Sequence, residues 1–325
     1  SVEVRYKFTY AQKKCLPVHQ AIKLGASINV IDALLSHGVL TAEQGGREND
    51  LELALLHKAP IEVVSLILEK RPKSILEKNK FGYTALRSAC LYESPLEVVD
   101  LLVNTCPDAV RELDMSGYTP LHAACRFGAP LSVVSLILNS WPHALRVKDL
   151  SNYTPLHVAC QYNAPLDVKA LLLHTCPDAS REKTTGGYTP LHLVCRYRAP
   201  PKVIKMLLDV YPEATLEKNN FGMTPLDLGK EYGASEDIQK LISNVPILLD
   251  YKKNLPSPME LMSCFIENQW QNGVLMVLDR NPEISKSIAL HTTVMADFLL
   301  AVGRFCDLTT MWEVLRNEQD LLAGV

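Results

Sequence analysis

Apolar residues come in short runs at helical spacing, cut off at regular intervals by proline or glycine. In the stretch 120–142, one run predicts a first helix over 121–127, ended by Gly128-Ala129-Pro130. A second helix is predicted over 131–139, where Val133, Val134, Leu136, Ile137 and Leu138 form a broad apolar face. Pro142 forbids its continuation, because a proline ring clashes with the preceding turn and has no N–H to donate. The unit therefore reads as turn, helix, tight loop, helix and extended return. Residues 2–10 break the pattern: Val2, Val4, Tyr6, Phe8 and Tyr10 alternate with Glu3, Arg5, Lys7 and Thr9, as in a strand. Such a strand must pack along the first repeat or pair with another chain.

The unit recurs. Gly82-Tyr83-Thr84-Ala85-Leu86 is followed by matching segments that start at Gly117, Asn152, Gly187 and Gly222, each 35 residues after the last. Pro72, Pro107, Pro142, Pro177 and Pro212 keep the same period. At the turn, Gly supplies a positive φ, and its one replacement, Asn152, is a side chain that tolerates it. Thr then caps a helix whose first position suits Pro, since that N–H would be unpaired anyway. Degenerate copies at 51–60 and 16–26 extend the count to seven repeats over about 14–245. Beyond them, 258–278 and 293–315 read as two diverged helical pairs that close the stack, which needs atypical ends. The seventh repeat replaces the usual His and Cys with Asp227 and Lys230, and is expected to be a weak seam.

The run Gly-x-Thr-Pro-Leu-His-x-Ala at 117–124 resembles the ankyrin-repeat signature. With its 35-residue period, Tyr after Gly, Cys ending the first helix and a Pro-Asp-Ala return, the chain is similar to ankyrin proteins of diatoms and related algae, as is its ending over 301–315. The resemblance implies an all-α ankyrin-repeat solenoid of about seven repeats plus two diverged C-terminal helical pairs. The expected division is an extended segment over 1–13, repeats over 14–245 and a C-terminal cap over 246–325. It also implies that the repeated His bonds neighbouring backbone, and that turn tips and first-helix ends line a concave groove. On this chain those places hold Tyr83, Tyr118, Tyr153 and Tyr188 at the turn, and Tyr92, Phe127, Tyr162, Tyr197 and Tyr232 at the helix end. Arg126 and Arg196 stand beside the second line, and these eleven residues are the expected partner-binding set, centred on Arg126, Tyr162, Arg196 and Tyr197. A Tyr copied with its repeat could equally stack on its neighbours and stiffen the array, above all on the turn line.

Composition narrows the class. Apolar residues make up 47% and charged residues 21% of 325 positions, the balance of a folded protein. The net charge of −3 gives no general attraction to nucleic acid or anionic lipid, although an aromatic groove could in principle stack single strands. There is no apolar run of eighteen residues, and residues 1–14 carry scattered charges, so the sequence predicts a soluble protein with no membrane span. The nine cysteines are an odd number without CxxC spacing, which fits a reducing intracellular compartment, cytoplasmic first, with organellar or nuclear residence open.

No catalytic, metal or cofactor site is expected. His122/Cys125, His157/Cys160 and His192/Cys195 have a spacing that could ligate zinc, but a repeat array spreads such pairs out instead of converging them. The same cysteine context copied four times does not suit a single activated nucleophile. Phosphate loops, His-Glu-x-x-His, calcium loops and Gly-x-Ser-x-Gly are all absent, and Asn152-Tyr153-Thr154 is a chance match to a glycosylation acceptor. The expected function is a non-enzymatic scaffold or adaptor that holds a protein segment in its groove, as a monomer or as a subunit of a hetero-complex. The alternative is an architectural subunit of a larger assembly.

Overall fold

A computed structural model describes residues 17–36, 49–250 and 258–281, without the Met259 side chain. The strand-like segment at 2–10, the second C-terminal pair at 293–315, Cys15 and Cys306 lie outside the described residues. The chain falls into two compact units, Ser1–Cys176 and Pro177–Val325.

The first unit stacks five helical pairs: α1 (Pro17–Lys23) with α2 (Ile28–Ser36), α3 (Asp50–Leu56) with α4 (Ile61–Lys70), α5 (Ala85–Leu91) with α6 (Leu96–Thr105), α7 (Pro120–Arg126) with α8 (Leu131–Ser140), and α9 (Pro155–Gln161) with α10 (Leu166–Thr175). First helices pack on first helices and second on second, from α1 to α9 and from α2 to α10. The second unit holds α11 (Pro190–Arg196) with α12 (Pro201–Val210), α13 (Pro225–Glu231) with α14 (Glu236–Leu249), and α15 (Pro258–Glu267) with α16 (Gln271–Arg280). All regular structure among the described residues is helical. Seven pairs therefore precede the diverged pair α15–α16, and α14 runs through residue 245, carrying Pro246 inside it.

Most of each predicted apolar face is buried, although Leu136 of α8 is only half-buried. Val133, Val134, Ile137 and Leu138 of α8 are buried, as are their counterparts Val98, Val99, Leu102 and Val103 of α6. Truncating one such Leu or Ile to Ala costs about 2–5 kcal/mol. The helices differ slightly from expectation: the first begins at Pro120 and ends at Arg126, with Phe127 as its cap, and the second reaches Ser140. The return is not wholly extended either. Pro142 opens a single 3-10 turn, Pro142–Arg146, that seats Ala144 and Leu145 in the core before the chain extends.

One buried position departs from the apolar set. Lys169 of α10 lies where α6 and α8 have Val99 and Val134, and its Nζ donates to Asn163 Oδ1 at 2.9 Å. Burial lowers its pKa. In the second unit α15–α16 docks through Trp270, whose Nε1 donates to Asp209 Oδ1 of α12 at 2.6 Å, while Lys205 Nζ donates to Asn268 O at 2.8 Å. Arg280 closes the end of α14 by donating to the carbonyls of Ile247, Leu248 and Asp250.

Candidate functional site

Each turn is organised by a short polar residue three positions before its glycine, or before Asn152 in the one turn that lacks it. Asp114 Oδ1 accepts from the N–H groups of Ser116 and Tyr118 at 2.8 and 2.9 Å, and Asp149 does the same for Ser151 and Tyr153 at 2.8 and 2.7 Å. Asn79 and Asn219 repeat the arrangement. Gly117 takes φ +80°, and a Cβ there would lie 3.1 Å from Leu150 N, so both conformation and space demand glycine. Neighbouring turns are tied by the Leu150 N–H, which donates to Ser116 O at 3.1 Å.

The helix that follows is capped reciprocally. Thr119 Oγ1 accepts from His122 N–H, and His122 Nδ1 faces both Thr119 N at 3.3 Å and Thr119 Oγ1 at 2.8 Å. His122 Nε2 reaches the next turn and meets Tyr153 O at 3.0 Å, so it must carry the proton as donor. Thr154/His157 and Thr189/His192 form the same box, and His192 Nε2 meets Met223 O at 3.2 Å. Burial pushes the His122 and His192 imidazoles down to about 4, which keeps them neutral near pH 7. Asp227 preserves the box with Thr224, so the seventh repeat loses the imidazole tie onward rather than its cap.

These bonds engage both imidazole nitrogens in two of the His-x-x-Cys pairs, at His122 and His192. Both nitrogens of His122 face protein partners, and Cys125 is fully buried. Burial raises the Cys90, Cys160 and Cys195 thiols to about 12 and Cys125 further, the opposite of an activated nucleophile. Among the described residues no group of three or more His, Cys, Asp or Glu side chains could hold a metal ion.

The two expected aromatic lines differ. On the turn line Tyr118 is only 8% exposed and its ring stacks on His122, with centroids 5.3 Å apart. Tyr153 and Tyr188 meet His157 and His192 edge-on at 5.8 and 6.0 Å, and the half-buried Tyr83 lies under Arg87. Much of this line therefore packs on its own repeat. The helix-end line is different, because Tyr92, Phe127, Tyr162, Tyr197 and Tyr232 are all C-caps with φ between −94° and −98°. One backbone geometry launches every side chain alike. Tyr92, Phe127 and Tyr232 are half-buried, while Tyr162 and Tyr197 are 41% and 44% exposed.

Arginines sit on these rings. In the first unit the Arg126 Cζ lies 4.9 Å from the Tyr162 centroid, 5.7 Å from Phe127 and 5.8 Å from Tyr118. In the second unit Arg196 lies 5.3 Å from Tyr232, 5.7 Å from Tyr188 and 5.8 Å from Tyr197, and its Nη1 donates to Tyr188 Oη at 3.3 Å. Such stacking fixes a guanidinium while leaving N–H edges available. Expectation missed the turn organisers Asn79, Asp114, Asp149, Thr184 and Asn219, although their 35-residue spacing was there to read. It also missed the exposed apolar tips Phe81, Met115 and Leu150 of the first unit and Phe221 of the second.

Among the described residues no helix is long and apolar enough to cross a membrane. No match was found among curated proteins. The family model for "Ankyrin repeats (3 copies)" matches four overlapping stretches, residues 51–149, 96–182, 131–218 and 156–254, together more than half the chain. Those stretches span the capped helical pairs and the glycine turns described above, and the chain belongs to the ankyrin-repeat family.

Proposed function

We propose that this chain is a non-enzymatic scaffold or adaptor that holds a segment of a partner protein against its helix-end aromatics and arginines, in the concave groove of an ankyrin-repeat solenoid. Ankyrin repeats generally mediate protein–protein interaction, and the observation that carries the reading here is the exposure of Tyr162 and Tyr197 on identical helix caps, each beside an arginine. Tyr and Arg dominate interface hot spots because they supply rigid area and forked donors at low entropic cost. The net charge of −3 favours protein over nucleic acid as the partner.

The test replaces Tyr162 and Tyr197 by Ala and compares partner binding with the unfolding midpoint. Binding is expected to weaken by about thirtyfold for a hot-spot residue, with an unchanged midpoint. Retained binding with a collapsed midpoint means that the ladder is structural and the partner surface lies elsewhere. The architectural alternative draws support from the turn tips, where Met115, Leu150 and Phe221 expose 70–76% of their surface. Size-exclusion chromatography separates the two readings: an adaptor elutes as a monomer, whereas an assembly subunit aggregates without its partners.

A further inference from the structure

We propose that the first unit selects partner segments carrying an aspartate or glutamate, whose carboxylate pairs with the Arg126 guanidinium beside Tyr162. The inference rests on the reading that the helix-end surface binds a protein segment, and adds the chemistry of that segment.

Among the described residues of this unit two arginines stack on aromatic rings, and their surroundings differ. Arg87 lies 3.7 Å from the Tyr83 centroid and 5.4 Å from that of Phe127, but its Nε donates to Asp114 Oδ2 at 3.0 Å. That pair is buried, so its charge is neutralised inside the protein. Arg126, on the next repeat, is exposed, and no carboxylate among the described residues lies within ion-pair distance of it. Three rings surround its guanidinium without neutralising it. A cation already held in one orientation loses little freedom when a ligand arrives, and its donor fork matches a carboxylate.

A carboxylate fits better than a phosphate. Phosphate groups are usually met by several arginines, and here one exposed guanidinium offers a single charge. Asp149 interacts electrostatically with the nearby Tyr118, and its negative charge disfavours a dianion further. One Asp149 oxygen is held by the Ser151 and Tyr153 N–H groups, so this residue does not swing over to pair with Arg126. The Tyr118 phenol is pushed up to about 12, chiefly by burial, and stays protonated beside the site.

The test pans a phage library of random-sequence peptides against the full chain. Enriched peptides should carry Asp or Glu, and Arg126→Gln should weaken their binding by about tenfold or more at an unchanged melting midpoint. Replacing the peptide's Glu by Gln should cost the same against the wild type and nothing further against Arg126→Gln, a cycle that leaves the protein's folding untouched. Arg126→Glu should turn the selection toward Lys and Arg. Enriched peptides without an acid, lost with Tyr162→Ala and indifferent to Arg126→Gln, would overturn the acid preference and leave the groove standing. Binding indifferent to both variants, or no enriched peptide at all, overturns the groove reading and this inference with it.

Discussion

The Arg87 guanidinium bridges to the Asp114 carboxylate of the next repeat at 3.0 Å, with the two side chains only 4% and 3% exposed. Arg87 occupies the place that His122, His157 and His192 hold in later repeats, so Thr84 lacks an imidazole partner. Thr84 Oγ1, Ser88 Oγ and Arg87 Nη1 are buried without partners among the described residues. Arg87→Ala strands a buried carboxylate and is expected to cost about 3–5 kcal/mol in chemical denaturation. Arg87→His with Asp114→Asn removes both charges and restores the cap, and should lie within about 1 kcal/mol of the parent. A double variant no more stable than Arg87→Ala would show that charge burial is not the governing cost.

Acid should loosen the stack at the histidines. An unfolded histidine takes its proton near 6.5, whereas buried His122 and His192 do so only at about 4. Their contribution is therefore fully present above pH 6.5 and lost as the pH falls toward 4, on the order of 3 kcal/mol for each histidine. Asp149 and Asp209, raised by burial, act in the opposite sense in the carboxylate range. The unfolding midpoint should hold from pH 8 to 6.5 and drop steeply below 6. A midpoint that is flat down to pH 5 would contradict the neutral-imidazole assignment.

The loops between paired helices place Lys58, Glu93, Asn163 and Arg198 at positive φ, where other repeats use Gly128 and Gly233. Glu93→Gly relieves that strain and loses only a surface contact to Lys58, so a gain of about 0.5–1 kcal/mol is expected. Asn163→Gly should instead destabilise, because it removes the partner of buried Lys169. Opposite signs at two equivalent loop positions, read from paired denaturation curves, are the check.

Trp270 should anchor the diverged pair α15–α16. Its ring meets Phe265 edge-on at 5.0 Å and passes so close to Gly273 that a Cβ there would fall 2.2 Å from it. Trp270→Phe removes the indole's hydrogen bond to the Asp209 carboxylate and should cost about 1–3 kcal/mol. Gly273→Ala should displace the indole altogether. Hydrogen exchange should show faster opening of α15–α16 in both variants, with α11 unaffected.

The repeat could be read from sequence because its turn chemistry is set by backbone demands: Gly117 for a positive φ, Thr119 for a cap, Pro120 for the first helical position. The loops at Glu93 and Asn163 could not, since their geometry comes from main-chain bonds such as Ser94 N–H to Ala89 O and Ala164 N–H to Ala159 O, which any side chain permits. The degenerate 51–60 copy has no threonine at its cap, and Asn49 Oδ1 accepts from Glu52 N–H in that place. For the aromatic lines, sequence located the residues but not their exposure. Tyr118 and Tyr153 are both followed by Thr-Pro-Leu-His, yet the first ring lies at 26° to its imidazole and the second at 64°.

The contact between His122 and Tyr153 uses the tyrosine's carbonyl and leaves its side chain uncommitted to the tie. Two repeats later the same job is done by Met223, whose carbonyl receives His192. Joining one repeat to the next is thus delegated to atoms that every amino acid possesses. The tie therefore survives a change of side chain at that position, Tyr153 in one repeat and Met223 in another, because it never uses the part that differs.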